Sequence, residues 1–155
     1  SPSFKIITQS SGMIEEKREA FLDCFKPDPQ ETVVGFCVLG GVFSEGIDLK
    51  YDRLIGSIII GVGLPLICPE RDIIRDYFQE KKGYGFEYAY QYPGMNKVMQ
   101  AAGRVIRSET DRGIIVLIDE RYNFSSYRNL FPAEWFPYKL VTGDTLVKHL
   151  KSFWS

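Results

Sequence analysis

The stretch "MNKVMQAAGRVIRSETDRGIIVLIDERY", Met95–Tyr122, changes its periodicity halfway along. In its first half Gln100, Arg104 and Arg107 recur at spacings of four and three, which stacks them on one side of an α-helix. Val98, Ala101, Ala102, Val105 and Ile106 fall on the opposite side, the stripe of an amphipathic helix that buries one face. Pro93 suits the first turn, where a missing N–H costs nothing, so the pattern predicts a helix over about 93–108. In its second half, Gly113–Ile118 is short, aliphatic and without alternation, as in a strand buried on both faces. A polar helix face rich in Lys and Glu is usually just solvated. This one offers a glutamine and two guanidiniums, forked donors that suit phosphate oxygens.

The rest of the chain repeats the alternation. Strands are expected at Phe4–Thr8, Thr32–Leu39 and Leu54–Val62, with a weaker one near Tyr138–Val141. Between them, Met13–Phe25 follows "QSSG" and places Glu15 and Glu16 in a first turn, where they complement the helix dipole. Its inward residues would be Ile14, Phe21 and Phe25. A helix over Pro69–Lys81 would bury Ile73, Ile74, Tyr77 and Phe78, and a last helix over Asp144–Trp154 would bury Leu146, Val147, Leu150 and Phe153. Buried strands alternating with amphipathic helices indicate an α/β fold with a mainly parallel sheet and helices on both faces. Strand order is not legible from this pattern.

Composition is that of one globular domain over residues 1–155, with 45% hydrophobic and 25% charged residues. A formal net charge of -1 provides no global attraction to nucleic acid or an anionic membrane, so any such contact needs a local patch. The longest uncharged run, Leu54–Pro69, contains three glycines and two prolines and is shorter than the roughly 20 residues of a membrane span. No membrane partner is expected. Cys24, Cys37 and Cys68 lie far apart with no CxxC, and are read as reduced core thiols of a cytoplasmic protein. His149 has no partner Cys or Ser motif and is expected to be exposed. The chain begins at Ser1 with a strand pattern from Phe4, as expected of a domain cut from a longer polypeptide.

Two segments place chemistry at strand ends. "GGVFSEGIDL", Gly40–Leu49, follows the strand "TVVGFCVL" with three glycines and two carboxylates, at the sheet edge where open α/β folds bind ligands. A tight turn with solvated Glu45 and Asp48 is the plainer alternative. "IIVLIDER", Ile114–Arg121, ends in Asp119 and Glu120 like a metal-holding strand, but no G-x-x-x-x-G-K-[ST] accompanies it, which favours a structural role for the acidic pair. "GVGLPL" does not fit a dinucleotide fingerprint. The aromatics Tyr84, Phe86, Tyr88, Tyr90 and Tyr92 could stack on bases or, for most of them, fill core and interdomain packing.

In order and content, "GGVFSEGIDL", "GVGLP" and "YPGMNKVMQAAGRVIRSETDRGIIVLIDERY" resemble the second motor domain of superfamily 2 helicases of the DinG and XPD group, over about residues 4–138. The distal "LFPAEWF" resembles the way these domains close. The resemblance implies a three-layer RecA-like domain of an ATP-dependent DNA helicase, DinG-like, with 5′ to 3′ polarity. It implies that Gln100, Arg104 and Arg107 of motif VI face ATP across an interdomain cleft, with Arg107 as arginine finger. Motif V would set Gly41 and Ser44 along single-stranded DNA and Gly46, Glu45 and Asp48 toward the nucleotide.

The partners so implied are ATP, single-stranded DNA and the N-terminal motor domain. The motifs that cradle phosphates and hold Mg²⁺ belong to that first domain, as do the cysteines of an iron–sulfur cluster, whose presence the sequence leaves open. This stretch alone is therefore expected to be inactive. A non-catalytic nucleic-acid-binding module with a motor-like fold is the alternative, against which the retained Gln100, Arg104 and Arg107 argue. A free-standing small-molecule enzyme would need a cradle or nucleophile constellation that is not in these residues.

Overall fold

A computed structural model describes residues 4–45, 53–106 and 109–155. Strand β1 (Phe4–Thr8) pairs in parallel with β2 (Thr32–Phe36), Ile6 opposite Val34. Helix α1 (Glu15–Leu22) connects them. A short helix α2 (Val42–Glu45) follows β2. Strand β3 (Gly56–Ile60) pairs in parallel with β4 (Ile114–Ile118), Ile58 opposite Val116. Between these two run α3 (Pro69–Lys82), a π-helical stretch (Glu87–Gln91) and α4 (Tyr92–Ala102). Beyond β4 come a 3₁₀ turn (Glu120–Asn123), α5 (Ser125–Arg128), a second 3₁₀ turn (Ala133–Trp135) and α6 (Gly143–Trp154). Parallel strands joined through helices are the α/β arrangement expected from the sequence.

Several boundaries move for local reasons. Helix α3 is bounded as its signals dictate: Cys68 is extended, Pro69 opens the first turn, and Gly83 closes the helix at φ 74°. The helix expected over 93–108 ends at Ala102 instead. Gly103 follows, and the amides of Arg104 and Val105 bond three residues back, to Ala101 and Ala102, at 3.3 and 3.1 Å. Glycine is about 1 kcal/mol poorer than alanine inside a helix, so the chain tightens there into a turn. The expected strand near Tyr138–Val141 is irregular, with Tyr138 turned edge-on to Phe131, ring centres 5.6 Å apart.

Burial departs from expectation more than element type does. The described strands form two parallel pairs, and each is covered on one face. Phe21 and Phe25 lie against Gly35 of β2, and Ile59 of β3 joins the core under α4. On the other face Ile6 (56% exposed), Val34, Phe36, Ile58 and Ile60 (74% exposed) meet solvent, so burial on both faces is not achieved within these residues. Ile14, Ile73, Tyr77, Ile106 and Val147, all expected inward, are exposed too. The cysteines are not core residues: Cys37 is exposed, and Cys24 and Cys68 are half-buried. His149 is half-buried rather than exposed.

The main core joins Ile59, Val62, Met95, Val98, Ala102, Tyr122 and Tyr127. Met95, Val62 and Val98 are its largest fully enclosed side chains. Tyr122 donates its hydroxyl to the Gly61 carbonyl at 2.7 Å, and burial pushes its phenol far above the usual range. Gln91, 3% exposed, is satisfied by donating to the Ser126 carbonyl at 2.9 Å. A second cluster gathers Phe43 of α2 and Phe21 of α1, stacked with ring centres 4.4 Å apart. Helix α6 adds no fully buried residue. Arg112 ties its end down by donating to the Phe153 carbonyl, with its guanidinium 4.7 Å over the Phe153 ring.

Asp119 settles the reading of "IIVLIDER". Its two oxygens accept from Arg121 Nε and Nη2, both at 2.8 Å, and Oδ1 also accepts the Arg121 amide at 2.9 Å. The carboxylate is thus spent on capping the turn after β4, as a structural role requires. Its pKa is lowered, first by the Arg121 hydrogen bond. A depressed carboxylate stabilises the fold above its ordinary titration range, and the contribution is lost as the pH falls through the lowered value. Thermal melts of Asp119→Asn across pH 2 to 7 are expected to lie below wild type near neutrality and to converge with it in acid. Parallel curves would contradict this role.

Candidate functional site

The ends of β2 and β3 and the start of α4 meet at three glycines. After β2 the chain runs out through Leu39 and reverses at Gly40–Gly41, where the Gly41 amide bonds the Val38 carbonyl at 2.9 Å and Gly40 holds φ +77°. A side chain is disfavoured at each residue, at Gly40 by its positive φ and at Gly41 by close backbone. A Cβ on Gly40 would lie 2.9 Å from Cδ of Lys97, and one on Gly41 would lie 3.0 Å from the Val38 carbonyl oxygen. Gly94, in the first turn of α4, presses so closely on the end of β3 that a Cβ would sit 2.6 Å from the Val62 carbonyl. The glycine-rich turn at a strand's carboxyl end is therefore docked directly on the polar-striped helix.

Of the expected site residues, Gly41 occupies this turn and is half-buried. Ser44 and Glu45 close α2 immediately after it, and only their backbone is described. Gln100 is exposed on α4, on the side away from the buried Val98 and Ala102. Arg104 is half-buried in the turn that follows α4 rather than on the helix itself, because of the break at Gly103. Gly46, Asp48 and Arg107 lie outside the described residues. The structure thus brings Gly41 beside the helix that carries Gln100.

Two residues at this junction were not singled out from the sequence. Lys97 precedes Gln100 by three on α4, and its stem crosses the Gly40 turn; the same i, i+3 spacing that picked out the stripe would have found it. Gln9, just past β1, accepts the Val38 amide at 3.0 Å through Oε1. It lines a cavity of about 280 Å³ together with Ser10, Ser11, Arg18 and Gly41. No sequence signal tied it to the glycine turn, since the link is a contact across 29 positions.

The aromatic segment divides. Tyr88 stacks on Phe78 with ring centres 4.0 Å apart and accepts from Lys82 Nζ at 3.0 Å, while Tyr90 is buried. Tyr84 and Phe86 are exposed. Among the described residues no group of three His, Cys, Asp or Glu side chains is placed to hold a metal ion, and no helix is long and apolar enough to cross a membrane.

Residues 1–138 match the helicase C-terminal domain family. The chain is 33% identical over 101 residues to the general transcription and DNA repair factor IIH helicase subunit XPD of Dictyostelium discoideum, covering 63% of this chain and 13% of that protein. It is 34% identical over 128 residues to the ATP-dependent DNA helicase chl1 of Schizosaccharomyces pombe, covering 72% of this chain and 15% of the relative. To the ATP-dependent DNA helicase DinG of Photobacterium profundum it is 34% identical over 103 residues, 65% of this chain and 15% of the relative. It thus spans a small part of the length of each. With a glycine turn seated on α4 and a family match over nine-tenths of its residues, the chain belongs to the helicase C-terminal domain family, in its DinG and XPD group.

Proposed function

We propose that residues 1–155 are the second RecA-like motor domain of a cytoplasmic, DinG-like ATP-dependent DNA helicase moving 5′ to 3′. The observation that carries this reading is the docking of the Gly40–Gly41 turn on α4. It joins the segment assigned to single-stranded DNA, with Gly41 and Ser44, to the segment assigned to ATP. In this reading Gln100, Arg104 and Arg107 face the nucleotide's phosphates, with Gly46, Glu45 and Asp48 beside them. Arg107 offsets charge that develops on the transferred phosphoryl group, work that requires delivery from a rigid second body. Burial of Met95, Val98 and Ala102 anchors α4 and with it Gln100.

In this reading Mg²⁺ accompanies ATP and is held by the other motor domain. The 155-residue chain alone is then half a cleft. Purified by itself, it is expected to show no ATP turnover with or without single-stranded DNA, whereas the full-length protein turns over ATP. DNA-stimulated hydrolysis by the isolated chain would refute the division of labour.

A further inference from the structure

We infer that Arg112 is a positioning residue for ATP turnover: held on the C-terminal end of α6, it braces the segment that carries Arg107. The inference rests on the motor reading for the role of Arg107. Its own support is geometric. Val105, 4% exposed, and Gly113 are the two feet of that segment, and they touch: a Cβ on Gly113 would lie 2.3 Å from Cγ1 of Val105 and 3.1 Å from the Ile55 carbonyl oxygen. The same carbonyl accepts the Ile114 amide at 3.1 Å, which ties the second foot to the start of β3. Two feet in contact define a hinge line, and a hinge line leaves one rotation free. A third attachment away from that line removes it.

Arg112, next to the second foot, makes that attachment. Its guanidinium donates to the Phe153 carbonyl, one of those that the last turn of a helix leaves without an intrahelical partner. It also lies 4.7 Å from the centre of the Phe153 ring and 5.5 Å from that of Trp154. The negative end of the helix dipole and the two ring faces both favour a cation there. Helix α6 is in turn held at its start by the reciprocal cap of Thr142 and Thr145, and its face at Leu146, Leu150 and Phe153 is half-buried. It lies beyond residues 1–138, which match the helicase family, yet it meets the foot of the arginine segment. With its fork committed to α6, Arg112 acts through Arg107 and not on phosphate. A surface contact of this kind adds little to stability, whereas a misplacement of about 1 Å in a group that meets a transition state costs about 10² in rate.

The test uses the full-length protein, with ATP turnover at saturating oligo-dT, KM for ATP and oligo-dT affinity as readouts. The variants are Arg112→Ala, Arg112→Lys, the paired change Phe153→Leu with Trp154→Leu, and Arg107→Ala with and without Arg112→Ala. Arg112→Ala is expected to lower turnover about tenfold, with KM for ATP and DNA affinity within about twofold of wild type. Arg112→Lys should recover most of the loss, because an ammonium still serves a helix end and ring faces; lysine at an arginine finger would not. The paired ring change should lose about threefold by itself and add nothing to Arg112→Ala, as residues in one contact do. In the Arg107→Ala background, Arg112→Ala should alter the residual turnover by less than about twofold. Matched thermal melts establish that each variant is folded. An undiminished tenfold loss in the Arg107→Ala background overturns the inference, and so does a raised KM for ATP with turnover intact, which would place the guanidinium on the nucleotide. Wild-type turnover in Arg112→Ala beside an impaired Arg107→Ala sinks the inference alone, whereas wild-type turnover in Arg107→Ala sinks the motor reading and the inference with it.

Discussion

Arg107→Ala in the full-length protein is expected to lower DNA-stimulated ATP turnover by on the order of 10³-fold, because the role proposed for Arg107 is that of an arginine finger, which acts chiefly on the transition state. KM for ATP should change far less, since uniform binding of the ground state is not what is removed. Lysine should rescue poorly, as a point charge cannot reproduce a planar fork over phosphate oxygens. Stability should shift by less than about 1 kcal/mol if the guanidinium serves the nucleotide and not the fold. Arg104→Ala is expected to act in the same direction. A loss of stability as large as a core truncation would show instead that the arginine is structural.

Gly94→Ala is expected to produce a large change from a small substitution. The added methyl would sit 2.6 Å from the Val62 carbonyl oxygen, and that oxygen is backbone at the end of β3 and cannot swing aside. Overpacking of this kind costs about 1–3 kcal/mol. It also pushes α4 off the sheet edge, and a displacement of about 1 Å in a group that positions reacting atoms is enough to cost about 10² in rate. Turnover should therefore fall well beyond what the lost stability explains at a temperature where the variant is folded. Gly143→Ala is the control: a Cβ there meets nothing within 4 Å. Near-wild-type melting and turnover in Gly94→Ala would mean that the junction is not as rigid as described.

What the sequence carried was local. Pro69 and Gly83 bound α3 within one residue because a proline at the first turn and a left-handed glycine cap act without help from the rest of the chain. The apolar side of α4 was legible in Val98 and Ala102, both buried, since their spacing depends only on helix geometry. The end of that helix was misread because the polar spacing runs on past Gly103, and a single glycine outweighed it. Strand pairing, the uncovered faces of Ile6 and Ile60 and the irregular path at Tyr138–Val141 are set by long-range neighbours that no window of sequence contains. The site divided in the same way. Gln100 and the glycine turn were legible as motifs, whereas the contact of Lys97 with Gly40 and that of Gln9 with Val38 are tertiary events.

The central claim is that the polar stripe of α4 and the segment after it serve ATP while the turn beside it serves the strand. It is tested most directly by measuring single-stranded DNA affinity without nucleotide, together with ATP turnover per DNA-bound enzyme, in full-length wild type and Arg107→Ala. Wild-type DNA affinity with turnover reduced by about 10³ is the result this account predicts. Collapsed DNA binding with undiminished turnover per bound enzyme would contradict it, because Arg107 would then read nucleic acid and not the nucleotide.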